Sequence, residues 1–412
     1  MVFKEFLDYL NKFNFIHACG VYDIFDRCVY ILTFTLLLVC SATVTIKSYV
    51  LKPMTCYAPS TISGSNVLQY INNYCWIVGT IPKAVHEHNS DDEEYWKWLE
   101  SRKINYYQWV PFVLGLQAAL LYIPYVFWEC LIYNRLGTNL QFLIDLARKA
   151  SLDFGESRKR KISQMAGSIF ILLTTRKKKS EKAIGLLSKF PIYKMEIVFH
   201  YLLLKVISVV MICSQFVIME KLLNMNGKHK LFGITVLQDL LNGRYWDVTN
   251  LFPRMAFCRV PFKMQNTNVV NITTQCSLSI NLINEKIFIF LWWWFSLIAS
   301  LQIISLFIWV ARCLSSDRRV RFINHSAQIS RSFPPHSEHL IKQFDRNLIS
   351  IDGIFLIHVT RINCGDLICN ELIHKLYEIH ATSLANRGDD LSDSISHSSV
   401  YKAKDIETTM FI

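Results

Sequence analysis

The chain is 412 residues long, 52% hydrophobic and only 18% charged, with a formal net charge of +12. Soluble domains carry about 25% charged residues, so this composition excludes an ordinary soluble protein. The basic excess sits beside long apolar runs, which points to contact with anionic lipid and not with nucleic acid.

Residues 1–27 contain Glu5, Asp8, Asp23 and Asp26, and the apolar run after them starts too late and lasts too long for a cleavable signal. Within this segment Phe3, Phe6, Leu7, Leu10 and Phe13 recur at spacings of three and four, one face of a short amphipathic helix. Such a helix either lies flat on the inner membrane surface or folds back into a pore mouth. Runs free of acidic and basic side chains cover 28–46, 104–128 and 287–311, and a fourth over 197–219 is interrupted by Lys205. A bilayer core of about 30 Å needs about 20 apolar residues per helix. The expected fold is therefore mainly α: a four-helix transmembrane subunit with disulfide-linked extracellular loops and a helical cytoplasmic domain.

The first loop, 47–103, is expected to be turn-rich at Pro53, Pro59, Gly64 and Pro82, with a later helix started by a capping box at Ser90 and Glu93. Its acidic run 91–94 suits the first turn of that helix. His86 and His88 lack further ligands nearby, so no metal is expected. Tyr106, Tyr107 and Trp109 fall where the second helix enters the membrane interface, a position aromatic side chains favour. Pro111 and Pro124 are expected inside that helix.

The segment 129–196 carries the basic runs 158–161 and 176–179, read as solvated loop. By the positive-inside rule it faces the cytoplasm, as do both termini. Lys205, towards the inner end of the third helix, is expected to snorkel to the interface. The second outer loop, 220–286, holds the sequon Asn271-Ile272-Thr273, which makes Asn271 a glycosylation candidate. Beyond the fourth helix, 312–380 forms a folded cytoplasmic domain, in which 352–380 alternates strand-like and helix-like stretches. The polar tail 381–412 is expected to be disordered.

Cysteines follow this topology. Cys56 and Cys75 fall in the first outer loop and Cys258 and Cys276 in the second; the other eight lie in the membrane or on the reducing side. Four cysteines allow three pairings. No nucleotide loop, nucleophile elbow or metal-protease motif is present, so no enzyme activity or cofactor is expected. A conduit, a receptor or a scaffold remains.

The heptapeptide Tyr106-Tyr107-Gln108-Trp109-Val110-Pro111-Phe112 resembles the signature of the innexins, the invertebrate gap-junction proteins. Phe252-Pro253-Arg254 ahead of Cys258, the stretch 281–288 after Cys276, and Asp352-Gly353-Ile354-Phe355-Leu356 are similar to that family as well. The chain departs from it at Arg259 and Met255. Connexins carry three cysteines per outer loop and tetraspanins a Cys-Cys-Gly motif, whereas pannexins share the two-plus-two pattern.

The resemblance implies pairing of Cys56 with Cys276 and of Cys75 with Cys258. It further implies a plasma-membrane hemichannel, an octamer of this chain or a mixture with related subunits, that docks on an adjacent cell and passes ions and small solutes. Phe3, Phe6, Leu7 and Leu10 become candidates for the pore lining. An undocked pannexin-like release channel and a four-span adhesion scaffold are the alternatives.

Overall fold

The computed structural model describes residues 22–57, 64–82, 98, 100–101, 103–131, 140–182, 195–223, 232–243, 251–263, 270–330 and 338–408. Phe3, Phe6, Leu7 and Leu10, both histidines of the first loop, and the capping box at Ser90 lie outside the described residues. In chain order the elements are α1 (Ile24–Val50), β1 (Thr55–Tyr57), α2 (Ser65–Val78), β2 (Ile81–Pro82), α3 (Val110–Leu131), α4 (Leu140–Leu152) and α5 (Gly155–Lys182). They continue with α6 (Glu196–Leu222), α7 (Phe232–Leu241), β3 (Met255–Phe262), β4 (Val270–Ser277), α8 (Ser279–Leu314), α9 (Ser316–Ser330), α10 (Glu338–Phe344) and α11 (Ser350–Thr408).

Among the described residues, five helical stretches are long and apolar enough to cross a membrane. Four of them, α1, α3, α6 and α8, coincide with the apolar runs. They bury only 28–39% of their most apolar windows, whereas the fifth, His339–Ala385, buries 61%. A helix bathed in lipid leaves its apolar side chains on the outside; the fifth stretch spends them on a protein core.

Two compact units divide the chain. One comprises Phe25–Val126 and Ile207–Ile303 and holds the sheet; the other draws on the described residues up to Ile24, Phe127–Val206 and everything from Ile304.

In the second of these, α11 packs on α4, α5 and α9. The buried face of α5, Ile162, Met165, Ala166, Ile169 and Leu173, has helical spacing. It meets a core that includes Phe344, Ile354, Phe355, Leu372 and Leu376. Arg158 makes a two-pronged bond to Glu371, Nε to Oε2 at 3.1 Å and a terminal nitrogen to Oε1 at 2.6 Å. Arg319 pairs with Asp345 at 3.1 Å, and Arg176 lies 3.6 Å from Asp352 and 3.7 Å from Glu196.

Several expectations change here. Arg158 and Arg176 are structural cations that tie α5 to α11, not solvated loop residues, because each finds a carboxylate from a distant segment. The 352–380 stretch is entirely helical, with one break at Gly365 (φ 82°) where the left-handed conformation favours glycine. Helix continues to Thr408, across much of the tail for which composition implies disorder. Once a helix is nucleated on packed side chains, each further residue adds one hydrogen bond, so composition alone does not set its end. Lys205 does not snorkel: it is fully buried with Asp23 as its ion-pair partner at 2.8 Å.

The second apolar helix begins at Val110, after a single tight turn over Tyr106–Gln108, and not at residue 104. Pro111 therefore sits in the first turn, where the missing N–H costs nothing, while Pro124 is inside α3.

Candidate functional site

The unit that holds the sheet gathers the two inter-helix segments rich in family-like residues. Its four strands run in the order β1-β4-β3-β2. The first segment supplies β1 and β2; the second supplies the hairpin β3-β4, antiparallel from Met255↔Ser277 to Phe262↔Val270. Alternation along β3 and β4 puts Ala256, Cys258, Val260, Thr274 and Cys276 on the buried face.

That alternation positions the cysteines. Cys56 and Cys276 stand directly opposite one another in the β1-β4 register and are joined by a disulfide. Cys75, on the buried face of α2, is joined to Cys258. These are the partners the resemblance implies. The sulfurs of Cys56, Cys75 and Cys276 lie within 4.8 Å of one another, so the bridges are neighbours. All three are engaged in disulfides, which leaves no thiolate for a metal. The bridges close separations of 220 and 183 residues, and a disulfide typically contributes about 2–4 kcal/mol by restricting the unfolded chain.

α2 lies across β1 and β3. Asn72 on α2 accepts a hydrogen bond from the Cys56 N–H at 2.8 Å, which occupies a donor of the edge strand. The helix stops at Gly79, whose φ of 92° is left-handed and whose added Cβ would meet the Ile104 carbonyl at 2.9 Å. That close approach allows Thr80 and Ile104 to exchange two backbone hydrogen bonds, at 3.1 and 2.9 Å. The segment expected to be only turn-rich thus contains a 14-residue helix. Its signal was present in Leu68, Ile71, Tyr74, Cys75 and Val78, spaced by three, three, one and three.

The heptapeptide divides its labour. Tyr106 donates to the Leu251 carbonyl at 2.8 Å and to Asn281 Oδ1 at 3.3 Å, bringing the second segment against the head of α3. Tyr107 is fully buried with its ring 4.9 Å from Trp76 of α2, and Gln108 donates to the Trp76 carbonyl. Val110 is buried as well. Trp109 and Phe112 are instead exposed, at 60% and 61%, with rings 6.1 Å apart. Only Trp109 of the three expected interface aromatics thus presents its ring outward; burial against α2 and the second segment claims the two tyrosines.

The family-like stretches 252–254 and 281–288 close the same assembly, while 352–356 lies in α11 of the other unit. Asn281 donates to the Pro253 carbonyl at 3.0 Å, and the Ile280 N–H donates to the Pro53 carbonyl at 3.0 Å. Buried Glu285 pairs with Arg254 at 3.3 Å and with Lys286 at 2.9 Å. Asn271 is exposed on β4 opposite Pro261. α7 adds a contact that composition did not signal: a Cβ on Gly233 would fall 2.1 Å from the Trp292 ring, so only glycine fits there.

The family model for innexins matches residues 22–380 of this chain. Innexin unc-9 of Caenorhabditis elegans is 31% identical over 376 residues, covering 90% of this chain and 95% of that protein. Innexin-19 of Caenorhabditis briggsae is 28% identical over 399 residues, 89% and 88% of the two chains. Innexin-12 of Caenorhabditis elegans is 28% identical over 376 residues, 88% and 89% of the two.

Proposed function

Because this chain belongs to the innexin family of gap-junction channel proteins, which are not enzymes, we propose that it is one subunit of a hemichannel that docks end to end with another on an adjacent cell. α1, α3, α6 and α8 are its four spans, with both termini cytoplasmic and the sheet outside. Their partial burial leaves outer faces for lipid and for neighbouring subunits. Packed helices fill their own interior, so water runs along the rotation axis of a closed ring, in this reading an octamer, of this chain alone or with related subunits. Phe3, Phe6, Leu7 and Leu10 line its narrow mouth, and ions and small solutes pass passively.

The observation that carries this reading is the sheet built from both outer segments and tied by two disulfides. Docking needs a stiff surface, since ordering each mobile residue at an interface costs about 1–2 kcal/mol of backbone entropy. The bridges remove much of that cost before contact.

Current between paired cells that express only this chain is the test. Attachment without current would make the protein a scaffold, and dye uptake by single cells without transfer between pairs would make it an undocked release channel. Normal coupling after replacement of all four bridging cysteines would remove the role given to the sheet.

A further inference from the structure

Two carboxylates flank the start of α1, Asp23 just before the helix and Asp26 in its first turn, and both are buried. Asp23 Oδ2 accepts from Lys205 Nζ at 2.8 Å, from Ser305 Oγ at 2.6 Å and from Trp309 Nε1 at 2.9 Å. Lys205 Nζ also reaches Ser305 Oγ at 2.7 Å and lies 5.4 Å from the centroid of the Tyr201 ring. Asp26 Oδ1 accepts from Gln302 Nε2 at 2.8 Å. Lys205, Asp26 and Gln302 have no exposed surface, and Trp309 has 1%.

The donors at 302, 305 and 309 recur along α8 with helical spacing. A buried charge persists only when it is paired and hydrogen-bonded. A pair costs more to bury than apolar side chains of similar shape, so a cluster retained there fixes geometry more than it adds stability. The backbone it grips leads directly into a π-helical stretch, Cys28–Thr33, a conformation frequent at functional sites.

We infer that Asp23 and Lys205 are positioning residues that lock the segment leading into α1 onto Lys205 of α6 and onto Ser305 and Trp309 of α8, and that this lock sets the conducting geometry of the pore. The electrical consequence rests on the channel reading; the lock itself does not.

The test is amide exchange of residues 22–33 in the full chain in lipid nanodiscs, together with single-channel recording. Lys205→Met alone leaves Asp23 buried without its cation and can fail to fold, so the decisive variant is the neutral pair Asp23→Asn/Lys205→Met. Exchange over residues 22–33 should rise at least tenfold while α4 and α5 keep wild-type rates, and unitary conductance or open probability should change. Unchanged exchange over 22–33, or an equal rise across α4 and α5, would overturn the proposal by leaving a merely structural pair. A selective rise in a protein whose wild type carries no current would uphold the lock and defeat the channel reading.

Discussion

The sheet and the helical unit are held together by different means. The sheet has strands of only two to eight residues and is tied by bridges across separations of 220 and 183 residues. The helical unit buries long apolar faces and adds ion pairs between distant segments, Arg158 to Glu371, Arg176 to Asp352 and Arg319 to Asp345. Its Cys313 and Cys369 are free thiols, although both are buried. Strands this short bury little apolar surface each, even with α2 packed on β1 and β3, whereas the long helices bury extended apolar faces. Covalent closure therefore falls on the region with the smaller core, which is also the region proposed to face oxidising conditions.

The largest expected effect comes from cutting a bridge. Cys75→Ser should abolish junctional current between paired cells and destabilise the sheet by about 2–5 kcal/mol. Cys369→Ser, which removes a free thiol of the helical unit, should leave coupling intact. Equal losses from both would erase the contrast between the two regions.

Next is a buried ion pair of the helical unit, Arg319 with Asp345. Asp345 is 1% exposed, and Asp345→Asn leaves Arg319 with a lost partner, at a cost of about 3 kcal/mol. A lower midpoint of thermal unfolding in detergent measures it. The apolar double replacement Arg319→Met/Asp345→Leu should recover most of the loss, which no double replacement of a disulfide would do.

Glycines sharpen the comparison at smaller scale. Gly79→Ala combines a left-handed φ with a 2.9 Å clash against the Ile104 carbonyl and should cost about 1–3 kcal/mol, read as less chain at the cell surface. Gly167 in α5 has open space around an added Cβ, so Gly167→Ala should instead stabilise the chain by about 0.4–1 kcal/mol, read as a higher unfolding midpoint.

Legibility in the sequence followed the range of the interaction. The four long apolar helices could be read because span length is a local property, and the bridging cysteines stood out because topology separates them from the rest. Lys205 was misread because its partner Asp23 lies 182 positions away, and nothing near residue 205 announces it. Arg158 and Arg176 failed for the same reason: a basic run looks solvated until the carboxylate from another segment arrives. The 352–380 stretch misled differently. Its β-branched residues and Gly365 mimic short strands, but burial on several sides against α4, α5 and α9 suits a helix without a clean polar face. α2 was locally readable, and the glycines and prolines around it masked its apolar spacing.

The smallest effect probes the exposed end of the ionic cement. Arg158 holds Glu371 through two parallel bonds, but the Glu371 side chain is 39% exposed, so solvent and salt screen the pair. Arg158→Lys keeps the charge and loses the fork. The expected change is a loss of about 0.5 kcal/mol in low salt, which should shrink further in 1 M salt, where the screening length is about 3 Å. The same salt series on Asp345→Asn should change little, because Asp345 and Arg319 are shielded from water. A loss at Arg158 that salt does not touch would mean that its aliphatic stem packs against α11 and carries the effect, so the pair at 371 would count as packing and the ionic description of the helical unit would narrow to its buried members.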